Sequence, residues 1–283
     1  MIPLLNASGC LDALTAPEVA QSLDAFVTKT VTPLPREGNA PLRIAETESG
    51  MLNSIGLQNP GIESFVAGNL PRLAQLHVPL WVSVGGFSAA DYALMCGRLD
   101  DSDEAVVIEL NLSCPNVEEA PETAAELVAS ARAATRKPLY AKLSPVTWDI
   151  AESARAVADA GADGLSLINT IRGLAIARAS ARPTLARGAG GYSGPALKPI
   201  ALACVWACAA AVDLPIVGMG GVFTTEDAAD FVSAGASAVA LGTALFTDPW
   251  SPRRIRAALA AMDAPEVIAV GGIGHVSTTS REL

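Results

Sequence analysis

Two lysines and a cysteine stand at or near the ends of short apolar runs. Lys29 lies in FVTKTVT, Lys142 in PLYAKLS and Cys114 in the segment Asn111-Leu-Ser-Cys-Pro-Asn116. An ammonium group inside an apolar strand is costly unless it meets an anionic or strongly polar partner. Each lysine therefore either reaches solvent with its tip or meets a ligand. Together they could stabilise negative charge developing on a bound ring or carboxylate. Cys114 acts through its thiolate, as base or nucleophile, if its pKa approaches the working pH. His77, in a connection, and His275, in the tail, are poorly placed to assist it. That weakens a cysteine–histidine hydrolase and leaves a general base beside a cofactor.

Glycines close the later runs, in Val217-Gly-Met-Gly-Gly-Val222 and Leu241-Gly-Thr243. They either permit tight turns or let backbone N–H groups approach a phosphate. They do not form the dinucleotide fingerprint, because Phe223 and Ser193 stand where its third glycine belongs. A mononucleotide or sugar phosphate suits them better.

The elements that must position these groups alternate. Eight apolar or β-branched runs (PLLNASG, FVTKTVT, PLWVSVGG, AVVIELNLS, PLYAKLS, GLSLINT, LPIVGMGG and AVALGTAL) are separated by helix-patterned stretches. Helix starts are read at Thr15-Ala-Pro-Glu before VAQSLDAF, at Ser88, and at Thr224-Thr-Glu-Asp. Eight strand–helix units fit a closed (β/α)8 TIM barrel, one domain across residues 1–283. In such barrels the active site gathers where strands end, and loops after strands 7 and 8 often bind phosphate. The connections over residues 31–60 and 171–197 are too long for simple turns and read as lids or binding loops.

Composition bounds the rest. With 29 Asp+Glu against 19 Lys+Arg, the net charge is −10, which removes the basic footprint of a nucleic-acid binder. No run approaches a membrane span and no signal segment opens the chain, so a cytoplasmic protein is expected. The five cysteines include no CxxC pair, and Cys204 and Cys208, spaced i, i+4, suit one face of a buried helix. No metal site is expected, and an iron–sulfur cluster held by this chain alone is not supported.

The ordered strand-end motifs, together with Arg36-Glu-Gly-Asn39, Asn53-Ser-Ile-Gly-Leu-Gln-Asn-Pro-Gly61, Ile168-Asn-Thr170 and Gly190-Gly-Tyr-Ser-Gly-Pro-Ala-Leu-Lys-Pro199, resemble the catalytic chain of class 1 dihydroorotate dehydrogenases. The likeness covers nearly the whole chain and implies an FMN enzyme of pyrimidine biosynthesis on a TIM barrel. It implies cofactor contacts from Ser8, Lys29, Thr30, Asn111, Lys142, Ile168, Gly194, Gly220, Gly221, Gly242 and Thr243. It implies a dihydroorotate site formed by Lys29, Asn53, Ser54, Ile55, Gly56, Leu57, Asn111, Asn116, Asn169 and Thr170. Cys114 would take the C5 proton while C6 gives hydride to flavin N5, with Lys142 favouring the anionic reduced ring. Cysteine as base, and no N-terminal hydrophobic extension, point to class 1.

Within class 1, Glu46-Thr-Glu-Ser-Gly-Met-Leu-Asn53 and Asn169-Thr-Ile-Arg-Gly173 look like subclass 1B. That subclass implies a homodimeric core and a second subunit carrying FAD and a 2Fe–2S cluster, which passes electrons to NAD. The alternatives are a subclass 1A homodimer using fumarate, a related flavin enzyme acting on another reduced pyrimidine, and a barrel that binds without turnover. Two departures bear on these: the chain opens almost directly on its first strand, and the loop after Asn116 (VEEAPETAAEL) is short for a 1B member.

Overall fold

The computed structural model describes residues 2–112 and 123–261. Eight parallel strands form one sheet: β1 (Leu4–Asn6), β2 (Phe26–Val27), β3 (Leu80–Val84), β4 (Ala105–Asn111), β5 (Leu139–Leu143), β6 (Gly164–Leu167), β7 (Ile216–Met219) and β8 (Ala238–Leu241). Each lies in one of the eight runs read from the sequence. Neighbours pair in sequence order from β2 to β8, β8 pairs with β1, and a parallel bridge between Leu5 and Ala25 joins β1 to β2. The sheet is thus a (β/α)8 barrel.

Successive side chains in a strand point to opposite faces, and the core divides accordingly. The large cluster outside the sheet takes Leu4, Phe26, Val82, Ile108, Leu110, Leu165 and Val239 together with helical residues such as Val128 and Phe231. A smaller cluster fills the barrel: Leu5, Val27, Val217, Met219 and Ala240, with Trp81 and Tyr140 packed against it. The rings of Trp81 and Tyr140 meet with centroids 4.5 Å apart.

Helix starts follow local hydrogen bonding. Ser88 caps Ala89–Asp100 by accepting from the Asp91 amide, and Thr224 forms a reciprocal capping box with Asp227 at Thr225–Ser233. The start read at Thr15 needs correction. The helix there is one turn, Pro17–Ala20, preceded by Ala16 without a side-chain cap. The remainder of VAQSLDAF cannot continue it, because Asp24 binds Leu4 through both its carboxylate and its amide, which draws the chain into β2.

The two long connections are not independent loops. Ile44–Thr47 and Gly50–Asn53 form a hairpin, and Gly190–Ser193 and Ile171–Gly173 add to it in a four-stranded antiparallel sheet. Buried Asn59 organises the first connection: its side-chain Oδ1 accepts from the Thr32 and Gly61 amides, while its Nδ2 donates to Thr32 Oγ1 and the Leu57 carbonyl. Among the described residues no helix is long and apolar enough to cross a membrane.

The β1–β2 seam has the thinnest ladder, and Asn6 replaces what it lacks. Its Oδ1 accepts from the Val27 amide and its Nδ2 donates to the Val27 carbonyl, each at 2.8 Å and fully buried. Asn6→Ala removes both bonds and leaves the Val27 amide unsatisfied. At roughly 1 kcal/mol per bond plus a desolvation penalty, we expect a loss of about 2–4 kcal/mol in urea unfolding.

Candidate active site

The upper, inward-facing strand positions are polar and hold one another. Ser8 Oγ donates to the Thr28 carbonyl and lies 3.2 Å from Thr30 Oγ1; Thr30 Oγ1 in turn lies 3.0 Å from Ser83 Oγ. Asn111 Nδ2 donates to Thr30 Oγ1 at 3.2 Å, and Asn169 Nδ2 donates to Asn111 Oδ1 at 3.1 Å. Tyr92, from the helix after β3, donates to the Asn111 carbonyl at 2.7 Å. This set of bonds ties residues just beyond β1, β2 and β6 to Ser83 on β3 and Asn111 on β4, so the groups it presents are held across several strand ends.

Above it opens a cavity of about 250 Å³. Its wall gathers Ser8, Lys29, Thr30, Asn111, Lys142, Ile168, Asn169 and Thr170 from the ends of β1, β2, β4, β5 and β6. Gly220 and Gly221 enter from the end of β7, and Gly242 and Thr243 from the end of β8. The antiparallel sheet contributes Ile44, Met51, Asn53 and Ser193, followed by Gly194, and covers one side. Thr243 Oγ1 donates to Ser193 Oγ at 2.8 Å, joining the β8 end to that sheet.

The segment from Asn53 to Leu57 divides by alternation. Asn53, Ile55 and Leu57 line the cavity. Ser54 and Gly56 turn away against Asn39, which donates to the Ser54 carbonyl and hydroxyl; a methyl at Gly56 would stand 2.6 Å from Asn39 Oδ1. Cys114 and Asn116 lie outside the described residues.

The two lysines differ. Lys29 is half-buried and lies across Gly9, where an added Cβ would come within 2.9 Å of its Cδ. Lys142 is buried, and its nitrogen stands 3.7 Å from Oε1 of Glu109 on β4. The sequence reading left a ligand as the partner for Lys142; the structure supplies a carboxylate from this chain. Glu109 was legible only as a polar residue in an apolar run, two positions before Asn111, which is the spacing that returns a strand residue to the same face.

Cys10 also faces the cavity. Burial pushes its thiol up, with the ammonium groups of Lys142 and Lys29 pulling against that effect. Cys204 and Cys208 share the helix Lys198–Ala209, where Cys208 is buried. Among the described residues no group of three or more His, Cys, Asp or Glu could hold a metal ion.

The glycine turns are shaped by the start of that helix. Gly221 has φ +82°, and an added Cβ would lie 2.8 Å from the Lys198 amide nitrogen, so backbone packs on backbone where a ligand anion could approach. Gly194, at φ +124°, packs equally tightly on Gly50. This donor set fits the phosphate of a mononucleotide: backbone amides at two adjacent strand ends, two hydroxyls, and no carboxylate in the described wall.

The family model described as dihydroorotate dehydrogenase matches residues 2–262. The chain belongs to that family. It is similar to the protein named dihydroorotate dehydrogenase B (NAD(+)), catalytic subunit, from Pelobacter propionicus, with 48% identity over 242 residues, 83% of this chain and 80% of that one. Proteins of the same name from Listeria innocua and Geobacillus kaustophilus are 44% and 42% identical, over 88% and 97% of this chain and 85% and 90% of theirs. The subclass 1B likeness agrees with these names, and the chain is an oxidoreductase of a flavin-dependent family.

Asp227 secures the β7 turn. It accepts from the Phe223 and Thr224 amides at 2.8 Å each and from Lys198, which also pairs with Asp230 at 2.7 Å. Burial raises the Asp227 carboxyl, but Lys198 and the two amides outweigh it, and the net shift is downward from the ordinary 3.8. A depressed folded-state pKa means stability that is present above the unfolded value and lost as pH falls through the folded one. Asp227→Asn is expected to cost about 1–3 kcal/mol at pH 7. The gap from wild type should close below about pH 4, measured by urea unfolding across pH.

Proposed function

We propose that this chain oxidises dihydroorotate to orotate in pyrimidine biosynthesis with FMN as its cofactor. The observation that carries this reading is the single cavity onto which the strand ends bring two cationic side chains, a hydrogen-bonded set of amides, and glycine turns suited to a phosphate. The names of the relatives supply the substrate class.

Gly220, Gly221, Gly242 and Thr243 would hold the FMN phosphate through backbone amides, with Gly194 beside them. Ser8, Thr30, Asn111 and Ile168 would seat the ring, and Lys142 would address its pyrimidine edge. FMN supplies the hydride acceptor for C6 of the substrate. Lys29 would pair with the substrate carboxylate. Asn53, Asn111, Asn116, Asn169 and Thr170 would satisfy the donors and acceptors of the pyrimidine, with Ile55 and Leu57 forming one side and Ser54 and Gly56 backing them against Asn39. Asn111 and Asn169 are already tied to each other, so their orientation precedes binding. Cys114 would remove the C5 proton as thiolate. It is preferred to Cys10, whose thiol burial holds in the protonated form.

The relatives are named as catalytic subunits of NAD(+)-linked enzymes. We infer that this chain likewise passes electrons to NAD through a partner subunit bearing FAD and a 2Fe–2S cluster, around a homodimeric core. Fumarate supporting steady turnover of the isolated chain, with no partner co-purifying, would overturn this.

The purified protein is expected to show a bound flavin spectrum that bleaches anaerobically with dihydroorotate, and far more slowly with dihydrouracil. Cys114→Ala should retain the flavin and slow bleaching by about 10²–10⁴-fold, the usual contribution of a positioned base. Bleaching at the wild-type rate in that variant would remove Cys114 from the proposal, and a protein that binds no flavin would remove the enzyme reading.

A further inference from the structure

Among the described residues, Glu109 and Lys142 are the two buried charged side chains, and they face each other. Their side-chain exposures are 1% and 7%. The separation of 3.7 Å makes an ion pair but exceeds hydrogen-bond length. Glu109 Oε1 is fully buried and accepts no hydrogen bond within the described structure. Lys142 lines the cavity, opposite Asn111 in the strand register, whereas Glu109 lies outside its lining.

A buried ammonium is costly to hold without a counter-charge. Lys29 adds a second positive charge to the same cavity, and no Asp or Glu stands in its described wall. The compensating charge comes from Glu109. Had that carboxylate been hydrogen-bonded to Lys142, it would have taken donors that a ligand needs; held at 3.7 Å it attracts the charge and leaves the N–H groups available.

We propose that Glu109 is a positioning residue that holds the Lys142 ammonium toward the cofactor without occupying its donors. This rests on the flavin reading above. The Lys142 charge then favours the reduced, anionic cofactor, and Glu109 acts on the cofactor's potential through Lys142 rather than by direct contact.

The experiment is anaerobic dye-coupled titration of the flavin at pH 7 in wild type, Glu109→Gln, Glu109→Asp, Lys142→Met and the Glu109→Gln/Lys142→Met pair. Glu109→Gln is expected to keep its flavin and to shift the oxidised-to-reduced equilibrium at least tenfold toward oxidised, a fall of about 30 mV for a two-electron couple. Glu109→Asp should recover part of that shift, and Glu109→Gln should add less than threefold in the Lys142→Met background. An unmoved or raised potential in Glu109→Gln, or full additivity in the pair, overturns the proposal. If Glu109→Gln does not fold, the paired variant, which buries neither charge, is expected to fold; failure of both alike also overturns it. Wild type that takes up no flavin defeats the flavin reading and this inference together, whereas bound flavin with an unmoved potential defeats the inference alone.

Discussion

Closure of eight parallel strands gives every inward side chain one of two fates, and core and site both follow from that constraint. Low in the barrel, inward positions must pack on one another, and Leu5, Val27, Val217 and Ala240 fill the space beside the Trp81–Tyr140 pair. Higher up, the inward positions become polar, and the apolar layer beneath offers them no water. They satisfy one another sideways instead, from Ser8 through Thr30 to Asn111 and Asn169. Each bond joins different strands, so the barrel cannot shear without breaking the set. Groups held this way arrive at the cavity already oriented, which limits the ordering cost of binding.

The same alternation explains what could be read from sequence. A strand buried on both faces is an apolar run, and a polar cluster at its end marks the mouth, so eight runs and their terminal Lys, Asn and Gly residues were legible without coordinates. The antiparallel sheet was not: Asn53 donates to the Gly191 carbonyl 138 residues away, and no local pattern encodes that pairing. The one-turn helix at Pro17 was overread because a capping pattern is local, while the Asp24–Leu4 bonds that end the helix early are not. Glu109 falls between these cases. Its letter was visible inside an apolar run, but its meaning needed the register that sets it beneath Lys142.

Charge is distributed unevenly between surface and site. The chain carries a net −10, yet the described cavity wall contains Lys29 and Lys142 and no acid. The buried carboxylate sits beneath Lys142, where it offsets the cost of burying that cation without facing a ligand. Elsewhere the acids do structural work, as where Asp227 orders the turn carrying Gly220 and Gly221 against Lys198. Moving one such carboxylate into the wall would place a like charge against an anionic ligand and spend a lysine on neutralising it.

Screening decides which of these charges an anion feels. At physiological ionic strength the Debye length is about 8 Å, so exposed acids more than that distance from the mouth contribute little there. Lys142 is buried, and its field is screened far less. An acidic protein can therefore hold an anionic ligand without a basic surface, provided its cations are few, buried and individually compensated. Lys29, half-buried and laid over Gly9, keeps part of its surface in solvent. Lys142 has no such recourse, and for that reason the strand that carries Asn111 to the mouth carries Glu109 below it.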